Sequence, residues 1–182
     1  MPMKRRIYLW FIPCLLSGFF SALANEAAAA GPMPKSVALV YPPADTAGFE
    51  IGMVQVTFAD SHKEFFDKSD KCGRPQISQG GDVGWSVWTD SFPGRYGHSN
   101  EILRLRTHAG ILKEFRPDSL FIQGWGFVDH HKAIVIASMA HHGPMSYIKY
   151  SIASGKVLGH ADDSQQYGEL PQWAQPFSDD KP

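Results

Sequence analysis

Apolar and polar residues alternate with a period of two along much of this chain. Leu103 and Leu105 set against Arg104 and Arg106 give the pattern of a strand with one wet face. On that pattern, with glycine and proline as punctuation, strands are expected at 37–41, 52–58, 75–78, 83–89, 101–107, 111–115, 124–128, 133–139, 145–152 and 156–160. One segment reads differently. Ser61-His62-Lys63-Glu64 has the form of a capping box, and it predicts a helix of about two turns through Phe65 and Phe66.

Eight of these strands fall into two copies of one unit, at 75–115 and 122–160. Leu103, Arg104, Leu105 and Gly110 lie 45 residues before Ile148, Lys149, Tyr150 and Gly155, while Val83 and Trp85 lie 50 residues before Ala133 and Val135. The difference falls in one loop, since 90–100 is longer than 140–144, and insertions belong in loops. Gln79-Gly80-Gly81-Asp82 ends in an acid and enters a strand, so it reads as a hairpin turn rather than a phosphate cradle. The fold class expected is mostly β, with two four-stranded antiparallel, propeller-blade-like sheets, N-terminal strands and one short helix.

Four strands repeated at about 45 residues is the spacing of a propeller blade. Through Tyr147, Tyr150, Ser154-Gly155-Lys156 and Leu158, the chain resembles the WD-repeat-like blades of exported bacterial proteins. It also resembles a group of small, uncharacterised bacterial exported proteins through Val83-Gly84-Trp85, His142-Gly143-Pro144 and Leu170-Pro171-Gln172-Trp173. The resemblance covers roughly 75–175, implies the fold and brings no activity with it. Two blades cannot close a ring of the usual four to eight. The sheets are therefore expected to pack on one another within a monomer.

The N-terminus adds a compartment. Lys4, Arg5 and Arg6 precede an apolar run from Ile7 to Phe20 and the small residues of Ala22-Leu23-Ala24, the layout of a secretory signal cleaved after Ala24. The run is shorter than the roughly 20 residues that span a bilayer, and Pro13 and Gly18 interrupt it, so no membrane span is expected after cleavage. Phe11-Ile12-Pro13 lacks the small residues a lipid-attachment site would need before Cys14. A leader at 25–36, one β domain at 37–175 and a disordered tail at 176–182 complete the expected organisation. The location implied is periplasmic or secreted.

Cleavage removes three of 17 basic and none of 18 acidic residues, which moves the formal charge from −1 to −4. That balance argues against a nucleic-acid surface, which needs a basic patch. Cys72 is the single cysteine left, so no internal disulfide is expected. Lys71 and Arg74 beside it could activate the thiol, but packing is the simpler role. Trp85 alternates with Val83 and Val87 and is assigned to the core, whereas Trp88, on the other face with Ser86, is the better candidate for exposure, and Trp125 could join it in an aromatic platform.

Histidines invite a metal reading, since His62, His98, His108, His130, His131, His141, His142 and His160 all survive cleavage. The pairs His130-His131 and His141-His142 sit at opposite ends of a seven-residue strand, about 20 Å apart at ~3.3 Å per residue, so they cannot share an ion. No zinc motif or Gly-x-Ser-x-Gly elbow is present, and neither a cofactor nor a metal is assigned. The two loops between second and third strands bring Asp90, Arg95, Tyr96 and His98 toward His141 and His142, which makes these six the candidate ligand surface. The function expected is a non-catalytic binding or interaction module for an envelope protein or a small ligand. A metal-dependent or His-based hydrolase of the cell envelope using His98, His141 and His142 with Asp90, and an inhibitor or immunity-type partner of an envelope enzyme, are the alternatives.

Overall fold

The computed structural model describes residues 32–41, 51–89, 100–140, 143–164 and 169–178. Ten strands follow in order: β1 (Pro34–Val40), β2 (Gly52–Phe58), β3 (Lys63–Ile77), β4 (Val83–Thr89), β5 (Asn100–Arg106), β6 (Leu112–Phe115), β7 (Phe121–Val128), β8 (Ala133–Met139), β9 (Ser146–Ser151) and β10 (Val157–Asp162). The chain is mostly β, in two antiparallel sheets that do not form a closed barrel. One sheet has the order β1-β2-β3-β4-β5-β6 and the other β10-β9-β8-β7. Among the described residues no helix is long and apolar enough to cross a membrane.

The two repeats hold pair by pair. Val83↔Arg106, Trp85↔Arg104 and Val87↔Ile102 in β4–β5 correspond to Ala133↔Ser151, Val135↔Lys149 and Ala137↔Tyr147 in β8–β9, with the same offsets of 50 and 45. Gly110 and Gly155, 45 residues apart, both turn their hairpins in the left-handed region, at φ 80° and 69°. The first unit is not a separate sheet, however, because β1 and β2 continue it through the long strand β3.

The packing of the repeats explains why two suffice. Leu103 and Leu105 of β5 meet Trp125, Ile134 and Ile136 of the second sheet in one buried cluster. By register, Ile134 and Ile136 share their face with Tyr150 and Ile148, the counterparts of Leu105 and Leu103. Equivalent faces therefore meet. Blades in a ring contact each other heterologously, one face on the next blade's opposite face, whereas an isologous contact closes on itself.

Both central strands are buried on two sides. Beneath β4, Val83, Trp85 and Val87 join Val54, Val56, Phe58, Cys72 and Ile102 in a second core inside the curl of the six-stranded sheet. The curl arises in β3, whose start (Lys63–Asp67) pairs with β2 while its end (Cys72–Ile77) pairs with β4. The start of β3 then roofs the arginine face of β5. Arg104 binds Asp67 at 2.9 Å, Arg106 binds Glu64 at 3.2 Å and lies 4.1 Å from the Phe66 ring centroid. On the far side of the second sheet, Ala137, Tyr147 and Ala161 are covered by Leu170, Trp173, Ala174 and Phe177 of the C-terminal segment.

Three expectations are corrected. The helix at 61–66 is the β2–β3 hairpin turn and the start of β3: Ser61 sits at φ 70°, its amide donates to the Phe58 carbonyl, and Asp60 accepts from the His62 amide. The aspartate, rather than Ser61 and Glu64, organises this turn. Strand β1 starts at Pro34, inside the expected leader, and the Ala59 amide is bound to the Met33 carbonyl. Residues 176–178 of the expected tail are placed against the second sheet, where a 3-10 turn, Gln175–Phe177, sets the Phe177 ring 3.0 Å from where a Cβ of Gly126 would stand.

Candidate functional site

Asp90, Arg95, Tyr96, His98, His141 and His142 lie outside the described residues, as do the signal segment and the loop that carries four of them. The other histidines are dispersed. His62 stacks on Phe58 with ring centroids 4.2 Å apart, the His108 amide donates to Asp82, and His131 packs 5.7 Å from the Phe127 ring. His130 and His131 form a left-handed turn with Asp129, at φ 53°, 65° and 51°. Among the described residues no three of His, Cys, Asp and Glu come together as a metal site.

One cluster has the residue types of a catalytic triad but not its wiring. The Ser146 hydroxyl donates to Asp118 Oδ2 at 2.9 Å and lies 3.3 Å from His160 Nε2, and Asp118 Oδ2 contacts that same nitrogen. In a triad the acid holds Nδ1 while Nε2 faces the serine. Here both oxygens converge on Nε2, so the nitrogen that would take the serine proton already faces the carboxylate and the acid does not orient the ring through Nδ1. The cluster ties the connection between the sheets to β9 and β10.

The tryptophans divide as their strand faces require. Trp85 is in the core, with its indole N–H 3.1 Å from Asp67 Oδ2. Trp88 is half-buried against Phe121, and Trp125 is buried between the sheets. No shared platform forms. Cys72 is fully buried and packs in the core.

An open cleft lies where the end of β3 meets β7. Arg74, Gln76, Gly124, Trp125, Pro176, Phe177 and Ser178 line a cleft of about 390 Å³, within the range of small-molecule sites. Two reciprocal bonds fix its floor: the Trp125 indole donates to the Arg74 carbonyl at 2.9 Å, and the Gln76 amide donates to the Trp125 carbonyl at 2.7 Å. Both groups lie where two strands of different sheets approach without a ladder, so side chains supply the partners. Gly124 stands beside a register irregularity in β7, and a Cβ there would meet no atom within 4 Å.

Arg74 is the charged member. It lies at φ 47°, a conformation that costs a non-glycine residue on the order of 1 kcal/mol or more, and its guanidinium is held 3.0 Å from Glu101 Oε1. Glu101 is 1% exposed, and its other oxygen accepts the Ile122 amide at 2.7 Å. Burial pushes the Glu101 carboxyl above its ordinary range, against the pull of Arg74 and the Ile122 N–H. The Arg74 side chain is 41% exposed, so a buried acid fixes a cationic side chain that reaches the surface. That arrangement preorganises the cation of a residue that lines the cleft.

No family model, curated protein or solved structure matches the chain. The site therefore rests on its own geometry. Sequence reading passed over Arg74 and Glu101 as a pair because they are 27 residues apart, and Trp125 is 51 residues from Arg74. The one local signal is Glu101, a charged residue at the start of the strand expected at 101–107.

Proposed function

We propose that this is an exported, non-catalytic binding module that holds its ligand in the cleft between β3, β7 and the C-terminal segment. The observation that carries the reading is Arg74, kept in a strained backbone conformation and clamped by a buried carboxylate at the wall of a small cleft. Strain of this kind persists where the surroundings over-determine it, and it concentrates at binding sites. The signal-like residues 1–24 support export, and the small mixed polar and apolar lining suits recognition of a small molecule.

The test is a fragment screen by saturation-transfer NMR on the purified protein and on Gly124→Leu. A Cβ at this position meets no atom within 4 Å, and Gly124 lines the cleft, so a leucine there is expected to obstruct it. Fragments that bind the native protein and are lost in the variant bear out the reading. Fragments that bind both equally place the ligand elsewhere and overturn it.

A further inference from the structure

Taking the cleft as the ligand site, we infer that its ligand is a small monocarboxylate with an apolar body, anchored by Arg74 and packed against Phe177 and Pro176. The charge, the hydrogen-bond capacity and the size of the cleft each narrow the class.

Arg74 is the one cation among the described residues that line the cleft. Guanidinium presents five N–H donors in a planar fork matched to carboxylate and phosphate oxygens, and the Glu101 contact uses one terminal nitrogen, Nη1. The remainder of the fork suits one further planar acceptor. A phosphate monoester carries close to two negative charges at neutral pH and would meet a single cation that already faces a carboxylate. A monoanion is the better match.

The apolar part follows from the opposite wall. Pro176 and Phe177 are at least partly exposed on the 3-10 turn, and Phe177 is fixed by its packing on Gly126. Gly124 leaves room between them and β7. Gln76 adds an amide beside the arginine, though its nitrogen is engaged by the Trp125 carbonyl. At about 390 Å³ the cleft lies at the small end of ligand sites, so the body is of the order of one ring or one amino-acid side chain. A free aromatic acid and the C-terminal residue of a peptide share this chemistry.

Calorimetric titration with phenylacetate and N-acetylphenylalanine, each beside its isosteric amide and beside phenyl phosphate, tests the inference. The variants are Gly124→Leu, which blocks the cleft, and the double substitution Arg74→Gln/Glu101→Gln, which removes both charges together so that neither is left buried alone. The expected result is a carboxylate bound at least about tenfold more tightly than its amide, the worth of a charge-assisted hydrogen bond. Binding should fall by a similar factor in the double variant and vanish in Gly124→Leu. Preference for N-acetylphenylalanine identifies a peptide C-terminus, and preference for phenylacetate a free acid. Amides that bind as well as acids, with both lost in Gly124→Leu, overturn the carboxylate class while leaving the cleft as the binding site. Tighter binding of phenyl phosphate, or no binding of any acid at millimolar concentration, also overturns it. Acid binding that Gly124→Leu leaves intact overturns the cleft itself.

Discussion

Gly84→Ala probes the contact on which the packing of the two sheets depends. Gly84 lies in β4 beneath Trp125, and a Cβ built there would stand 2.4, 3.0 and 3.1 Å from Cη2, Cζ3 and Cζ2 of that indole. Ordinary contact begins near 3.4 Å, so the ring or the strand must move by about 1 Å. The ring is poorly placed to yield. It is 2% exposed, its N–H is bound to the Arg74 carbonyl, and its own carbonyl is bound by Gln76. Overpacking of this kind costs about 1–3 kcal/mol, and the pinned ring places this case in the upper half, about 2–3 kcal/mol. For a domain of this size each kcal/mol lowers Tm by roughly 2–4 °C, so a fall of roughly 4–12 °C is expected. Urea denaturation followed by tryptophan fluorescence gives the free energy. In a Trp125→Phe background the clashing atoms are gone, and the alanine should cost less than half as much. A cost below about 0.5 kcal/mol in the native background, or an unchanged cost in Trp125→Phe, would refute the packing described for this face.

Further outcomes follow from the ion pairs and the leader. Arg74→Met leaves Glu101 buried without its partner and should destabilise by about 2–3 kcal/mol, below the ~3–5 of a fully buried pair because the Arg74 side chain is 41% exposed, whereas Arg74→Met/Glu101→Leu should recover most of the loss in denaturation curves. Asp67 and Glu101 should show opposite pH dependences. Burial alone would raise Asp67, but the Ser69 amide, the Trp85 indole and Arg104 outweigh it and hold the carboxyl below 3.8. Its contribution is present above pH 3.8 and lost as pH falls through the lowered value, so the advantage of native protein over Asp67→Asn should shrink in acid. For Glu101 the unfolded chain releases its proton first, so stability falls as pH rises from 4.5 through the raised value, and Glu101→Gln should gain on the native protein as pH rises above 4.5. Equal pH slopes for the two variants would contradict both assignments. Protein recovered outside the cytoplasm of its host should begin at Asn25 by intact mass, and recovery of the full-length chain there would refute cleavage.

Strands were legible where the pattern was local. Alternation in β2 and β5 and glycine turns at Gly81, Gly110 and Gly155 place the elements within a few residues, and the repeat offsets predict the pairing register. Ser61 and Glu64 satisfy a local rule for a helix at 61–66, but long-range pairing with β2 and the contacts of Glu64 and Phe66 with Arg106 decide for strand. The same contacts cover the face of Arg104 and Arg106, which alternation alone marks as wet. The sense in which the repeats pack was not legible, since either face of a strand buried on both sides could have met its counterpart. The cleft was less legible still, because its cation, its acid and its indole come from β3, β5 and β7 and each has an ordinary local role.

The most direct test of the cleft as the ligand site is a ¹⁵N NMR titration of the protein with phenylacetate, following the Arg74 Nε–H, the Gln76 side-chain amide and the Gly124 amide. The account predicts that these three signals shift together along one saturable curve while the Lys113 and His160 amides, on other strands, stay in place. Shifts confined to residues outside the cleft, or none at saturating acid, would contradict it.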